Sequence, residues 1–355
     1  MSQRFSSPLW LAGFAIQLVL SMPAAHAQLL QGKWHDIAPF PEPHEEVLGQ
    51  AANGKLYVFA GLVSAPVWQP VGMVYEYDPA TNKWTKKKPM AMPAHHVAFT
   101  EYNGKIYVFG GFIGVHSGPA AWVPINNAFE YDPVQDSWKE LAPMPTKRGA
   151  GVAAEVDGKL YVIGGATLAP DAKEPFLNFK TPQNVVTTVE EYDPKTNTWR
   201  SRANMPTPRN HCAIAAVNGK IYVLGGRTGA AYISLSTDLA LVETYDPVRD
   251  SWTSILPARM PTARSALAYG VYNGHILVAG GEFQDTNMFA TFRAFEAYDP
   301  TTDTWQILPP LPVPRHGVAG GVIGNTFYAV SGDVQSSGTG VAVSTPAANA
   351  FEFSK

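Results

Sequence analysis

The sequence repeats itself, and the period constrains the fold more than any other feature. Five segments share Asp-Pro-x-x-[Asn/Asp]-x-Trp: Asp78 to Trp84, Asp132 to Trp138, Asp193 to Trp199, Asp246 to Trp252 and Asp299 to Trp305. A second feature, a β-rich run ending in Gly-Gly, closes at Gly61, Gly111, Gly165, Gly226, Gly281 and Gly332, with Ser331 replacing the first Gly of the last copy and Ala60 that of the first. From Gly61 to Gly332 the chain advances 271 residues in five steps, about 54 per repeat, which is a period of repeat architectures. Six such units fill residues 28–355.

Each repeat reads as four strands. A run of small and apolar residues, such as Gly149 to Ala154, ends at a hairpin signal: Asn53-Gly54, Asn103-Gly104, Asp157-Gly158, Asn218-Gly219 or Asn273-Gly274. These pairs suit a two-residue turn in which both positions need positive φ. The Gly-Gly strand follows, then a longer loop, a third strand running into Tyr-Asp-Pro, and a fourth that carries the Trp. With 31 Gly and 30 Pro in 355 residues there is too much turn chemistry for a helical bundle, and 12% aromatic content is too high for a disordered chain. Four antiparallel strands repeated radially form a propeller blade. The predicted fold class is therefore all-β, a six-bladed β-propeller. Trp34 occupies a fourth-strand position with no Tyr-Asp-Pro before it, and Phe351-Glu352-Phe353 matches a third strand with no Trp after it. The N-terminal strand is thus expected to complete the last blade and remove open sheet edges.

Residues 1–27 read as a signal peptide. Arg4 gives a positive start, Leu9 to Leu20 is apolar except for Gln17, and Ala25-His26-Ala27 supplies a small-x-small cleavage pattern before Gln28. At about 1.5 Å per residue that stretch falls short of a bilayer core of about 30 Å. Residues 28–355 are expected to form a single propeller, periplasmic or secreted, without a membrane span. A formal net charge of −3 leaves no electrostatic footprint for nucleic acid, and one Cys cannot form an intrachain disulfide.

The Gly-Gly, the Tyr-Asp-Pro and the Trp six residues after the Asp resemble kelch repeats over about residues 33–355. The resemblance implies the propeller and little about chemistry, because kelch propellers include protein-binding modules, sugar isomerases, metal-dependent enzymes and a copper oxidase. Six blades with a signal segment are also similar to the bacterial N-acetylneuraminate epimerases, periplasmic enzymes that interconvert sialic acid anomers. Their catalytic residues find no residue-by-residue match here.

Length variation singles out one rim. Hairpin Gly to Gly-Gly is 7 residues in five copies and Asp to Trp is always 6, whereas the loop after Gly-Gly spans 16 to 27. Such elaboration on a rigid scaffold marks a binding face. Aligned on the hairpins, His44, Ala94, Arg148, Arg209 and Arg315 share one position, with Arg264 beside it. The next two positions hold Glu45-Glu46, His95-His96, Asn210-His211 and His316-Gly317. Arg227, Glu282 and Asp333 each follow a Gly-Gly segment, and Trp68 and Trp122 lie in loops of the same face with Phe176, Phe179, Tyr232 and Phe289. The pattern predicts a net basic channel mouth whose Arg side chains grip a carboxylate or sugar hydroxyls and whose aromatics flank the ligand. A framework role for the Arg and loop-on-loop packing for the Trp are the competing expectations.

Glu46, His96 and His211 share a level on three blades and are the candidate catalytic groups. A metal would need all three within about 2 Å of a common point. Ring positions across a channel are expected to lie farther apart, so neither a metal nor another cofactor is expected. Cys212 sits inside an inner strand and reads as a small buried hydrophobe. The leading expectation is an exported propeller that binds a small polar or anionic, carbohydrate-like ligand at the Arg/His-rich mouth. One alternative is a sugar mutarotase or epimerase working through His and Glu as acid and base. The other is a platform that takes an acidic protein segment on the same rim.

Overall fold

Every expected hairpin turn is built as its sequence demands. Asn53 and Gly54 have φ of 51° and 73°, and Asn103-Gly104, Asp157-Gly158, Asn218-Gly219 and Asn273-Gly274 match them with both residues positive. The computed structural model describes residues 29–354 apart from 64–67, 116–120, 179, 182, 232–235, 254, 286 and 340–342. The expected signal segment, Phe179 and Tyr232 therefore lie outside the described residues.

Among these residues six antiparallel four-stranded sheets form the blades. Their inner strands are Glu45–Ala52, Ala98–Tyr102, Val152–Val156, Ala213–Val217, Ala268–Tyr272 and Ala319–Ile323, in blades 1 to 6. The N-terminal strand Gly32–Asp36 pairs with Ala348–Phe353 and forms the outer edge of blade 6, so the ring closes as expected. Four small two-stranded sheets extend the loop face in blades 2 to 5, for example Phe112–Gly114 with Trp122–Pro124 and Arg227–Thr228 with Thr237–Asp238. No helix among the described residues is long and apolar enough to cross a membrane.

The repeat residues lock each blade to the one before it. Trp199 Nε1 donates to Ala142 O (2.8 Å) and Trp252 Nε1 to Ala203 O (2.9 Å), both in the link leaving the preceding blade. Asn197 and Asp250 accept the backbone N–H of those same residues, at 2.8 Å each, and the phenol of their own blade's Tyr. In blades 1 to 5 one Trp and one Asn or Asp thus satisfy the link's polar backbone where it passes the next sheet, and in blade 6 Trp34 donates to Pro309 O (2.7 Å).

Two large aromatic rings project into the channel. Phe99 and Tyr269 stand at one level on blades 2 and 5 and stack at 6.1 Å with a 20° tilt. This pair divides the channel. On the loop side is a cavity of about 60 Å³ that Glu46, His96, His211 and Cys212 help to line. On the hairpin side is one of about 340 Å³, reached by Gln50, Thr100, Glu101 and Glu155.

Candidate functional site

Where each inner strand begins, one residue takes a left-handed conformation. These are Glu46 (φ 53°), His96 (53°), Ala150 (56°), His211 (54°), Ala266 (54°) and Gly317 (56°), one per blade. Their backbones join blade to blade around the axis. Ala150 N donates to His96 O (2.8 Å), His211 N to Ala150 O, Ala266 N to His211 O and Gly317 N to Ala266 O (3.0 Å each). In blade 6 glycine is required, since a Cβ at 317 would meet Glu46 N at 2.7 Å. In blades 3 and 5 alanine serves the ring. A left-handed residue with a side chain costs about 1–2 kcal/mol, and the scaffold has no use for the carboxylate or the imidazoles at 46, 96 and 211.

Two further tiers surround the ring. The residue before each ring position pairs with the residue after Gly-Gly: Glu45 with Leu62, His95 with Phe112, Gly149 with Ala166, Asn210 with Arg227, Ser265 with Glu282 and His316 with Asp333. This pairing gathers the polar groups. Glu46 Oε2 lies 3.3 Å from His96 Nε2, and its Oε1 lies 3.9 Å from His316 Nε2. His316 Nε2 is also 3.7 Å from Glu282 Oε2 and 2.9 Å from Ser337 Oγ. Arg227 donates to Glu282 (2.7 Å) and reaches His211 Nε2 at 3.3 Å. Asn210 Oδ1 holds His211 Nδ1 at 2.5 Å, and the Nδ1 atoms of His95 and His96 face each other.

Burial and charge set the protonation. Burial pushes Glu46 up, but the imidazoles of His96 and His316 and the Arg227 guanidinium outweigh it and hold the carboxyl at about 2. Its neighbour Glu45 is pushed up to about 9 by burial and then by repulsion from Glu46, Asp333 and Glu282. Burial also drives His95 and His211 well below the usual imidazole range, with His96 adding to the first and Arg227 to the second.

Several expected site residues sit elsewhere. Arg148, Arg209, Arg264 and Arg315 turn into the blades and are at most 2% exposed. Arg148, Arg209 and Arg264 pair with Glu190 (2.5 Å), Glu243 (2.7 Å) and Glu296 (2.6 Å) of their own third strands and bond Gly-Gly strand carbonyls such as Gly164 O, Gly225 O and Gly280 O. Arg315 bonds Asn349 (2.6 Å), which itself donates to Asp36 of the closing strand (2.7 Å). These guanidiniums are spent on the framework, and Arg227 alone of the five expected arginines belongs to the centre. Glu282, Glu46 and Asp238 act on its guanidinium, and Glu45 and Asp333 lie near Glu46, so the centre is rich in carboxyls rather than basic. Asp238 escaped the sequence reading because it lies in a variable loop. It reaches the centre only because Thr237–Asp238 pairs with Arg227–Thr228 and its Oδ2 accepts Gln284 N–H (2.8 Å).

His44 lies off the ring, 3.6 Å from Glu42. Trp68 and Trp122 are buried rather than presented, in a cluster with Leu62, Phe112, Ala150, Ala166, Leu177 and Ala231. Trp122 exchanges backbone hydrogen bonds with Leu177 of the next blade's loop and lays its ring against His95 and His96, with centroids 4.5 and 5.1 Å apart. Phe176 is half-buried and Phe289 is exposed. The expected separation of Glu46, His96 and His211 is also overturned. Their ligand atoms lie within 4.8 Å of one another, because the left-handed backbone turns all three side chains toward the axis.

Comparison with known proteins bears on the fold more than on this centre. A Kelch motif model matches residues 50–91, 93–145, 208–255 and 263–312, more than half of the chain, and a second Kelch motif model matches 147–206. The kelch-like protein terF of Aspergillus terreus is 30% identical over 199 residues, 55% of this chain and 40% of that protein. The F-box/kelch-repeat protein At1g16250 of Arabidopsis thaliana is 35% identical over 191 residues, 51% and 45% respectively. Beta-scruin of Limulus polyphemus is 27% identical over 208 residues, 58% and 21%. The chain thus aligns with less than half the length of these relatives. The solved structure of YjhT superposes with a TM-score of 0.67 at 17% identity, covering 90% of this chain and 99% of that one, a likeness of fold. With kelch motifs matched from blade 1 through blade 5 and six closed four-stranded blades, the chain belongs to the kelch-repeat family.

Proposed function

We propose that this chain is an exported kelch propeller that binds a small polar, carbohydrate-like ligand at the loop end of its channel, through Glu46, His96 and His211. The contrast within one ring supports this reading. Six positions share one backbone conformation, three carry only Ala or Gly, and three carry buried ionisable groups that no framework contact requires. Export rests on the segment 1–27 and its cleavage pattern. With the carboxylates of Glu46 and Glu282 both held ionised beside one guanidinium, the centre favours a neutral polyol over an anion or an acidic protein segment.

Space decides where such a ligand lies. The cavity below the ring, about 60 Å³, holds a few waters and no hexose. The sugar ring therefore belongs on the loop side, where it displaces Trp122 from His95 and His96. Calorimetry with neutral and acidic monosaccharides tests this, with tryptophan fluorescence as a second readout. The expected result is saturable binding of a neutral sugar, a fluorescence change, and loss of both in Glu46→Ala. Binding that survives Glu46→Ala and His211→Ala together overturns the reading.

A second reading is a sugar mutarotase. The carboxylate of Glu46 lies between two imidazoles, His96 and His316, so a proton donor and acceptor stand within reach of one anomeric hydroxyl and ring oxygen. Saturation-transfer NMR of anomer exchange is expected to show acceleration that vanishes in Glu46→Gln. No acceleration of any bound sugar removes this reading and leaves binding alone.

A further inference from the structure

The three side chains that set the ring apart are two imidazoles and one carboxylate, a donor set with its own chemistry. We propose that Glu46, His96 and His211 hold a divalent transition-metal ion of the zinc, cobalt or iron(II) class, with water completing its coordination. The inference deepens the ligand-binding reading, on which it rests only for the idea that a sugar hydroxyl replaces one of those waters.

Geometry is the first support. The three ligand atoms lie within 4.8 Å of one another and all three residues are buried. Metal bonds of about 2.0–2.2 Å place neighbouring donors roughly 3.0–3.6 Å apart, and Glu46 to His96 already measures 3.3 Å. Closing the rest needs a shift of about an ångström at one imidazole, within the reach of its two side-chain torsions.

The outer contacts supply the second support. Ligating histidines are usually held at the other ring nitrogen by a polar partner. Here Asn210 Oδ1 holds His211 Nδ1 at 2.5 Å and His95 Nδ1 faces His96 Nδ1, so both Nε2 atoms turn inward. The buried His96 Nε2 makes no well-formed hydrogen bond and has the Glu46 carboxylate 3.3 Å away. Two nitrogens and one oxygen suit zinc, iron(II) or cobalt and do not suit calcium or magnesium, which take oxygen donors. Arg227 contacts His211 Nε2 at 3.3 Å. Loading an ion exchanges that long contact for a metal bond, and Arg227 keeps Glu282 (2.7 Å) and Ala231 O (3.1 Å). The cavity below the ring leaves room for the waters.

The test uses untagged protein dialysed against a chelator and titrated with cobalt(II), read by its visible absorption and by metal analysis. One saturable equivalent is expected, displaced by zinc, with at least tenfold weaker binding in His96→Ala and in His211→Ala. Both variants should fold, since Ala150 and Ala266 already occupy equivalent positions. Glu46→Gln, close in shape, serves should either alanine variant fail to fold, and His275→Gln at the surface should bind cobalt like the parent. No saturable binding, or binding unchanged in the ring variants, overturns the proposal. The two readings separate cleanly. No cobalt binding beside sugar binding that persists with chelator defeats the metal and spares the ligand reading, whereas cobalt binding with no sugar bound does the reverse.

Discussion

Blades 3, 4 and 5 and blades 1 and 2 solve the same packing problem differently. In blades 3 to 5 a fully buried Arg at the strand entrance meets a fully buried Glu on the third strand. In blades 1 and 2 the Arg positions hold His44 and Ala94, and the matching third-strand positions hold Tyr75 and Phe129. While in blade 6 Arg315 is held by Asn349 and backbone carbonyls instead of a carboxylate, in these five blades the charges are present together or absent together. That is the behaviour of a strut, because a buried charge without its partner costs far more than an aromatic replacement of the pair. The ring groups behave in the opposite way. Glu46, His96 and His211 appear singly, in blades whose neighbours manage with Ala or Gly. A buried Arg bonded to a carboxylate or carbonyls of its own blade belongs to the framework, and buried ionisable groups that appear singly at the ring belong to the centre.

The sharpest way to break this distinction is to remove half of a strut. Arg209→Ala leaves Glu243 buried, with Thr207 as its remaining side-chain partner (2.8 Å). The expected loss is about 3–5 kcal/mol by urea denaturation, the largest effect anticipated for a single substitution here. Adding Glu243→Phe reproduces the Ala94/Phe129 arrangement of blade 2 and should restore most of it. A single variant as stable as the parent would return the framework arginines to the list of ligand groups.

A smaller effect comes from Asp238, a carboxyl of the centre outside the ring. Burial raises it to about 6, only partly offset by the Arg227 guanidinium, the nearby Ser265 hydroxyl and the hydrogen bond from Gln284 N–H. The folded chain therefore keeps a proton that the unfolded chain gives up near 3.8. This opposes folding increasingly from about pH 4 to pH 6, and the penalty is constant above that. Asp238→Asn preserves an acceptor for Gln284 N–H and removes the penalty. The variant should match the parent near pH 3 and exceed it at pH 7 by about 1–3 kcal/mol. Equal stability at both pH values would show that the carboxylate is matched as well as a strut.

How much of this was legible depends on whether a residue repeats. Hairpin turns, Tyr-Asp-Pro and Trp recur with fixed spacing in blades 1 to 5 because each satisfies backbone groups at the same place, so the fold and its closure could be read from the chain. The same logic misleads at Arg148, Arg209, Arg264 and Arg315. Recurrence in four blades was itself the sign of a framework role, yet their place at the strand entrance suggested the mouth. Loop-on-loop packing stood as the alternative for Trp122, but its partner Leu177 was beyond reach because such packing has no period. Glu46, His96 and His211 were found as a level, but their convergence was not, since it depends on a positive φ that neither Glu nor His advertises.

The smallest expected effect is the most discriminating. His211→Ala removes an imidazole whose burial keeps it uncharged and places at the ring the residue that Ala150 and Ala266 already carry at nearly the same φ. Hydrogen bonding around the ring runs through the backbone and survives, while Asn210 Oδ1 and Arg227 lose one contact each. Stability should change by no more than about 1 kcal/mol, as judged by the denaturation midpoint at constant slope. His96→Ala should cost somewhat more, because Trp122 and Phe112 pack on that ring. A loss at His211 comparable with that of Arg209→Ala would mean that the ring needs its imidazole as the blades need their struts, and the division between framework and centre would fall.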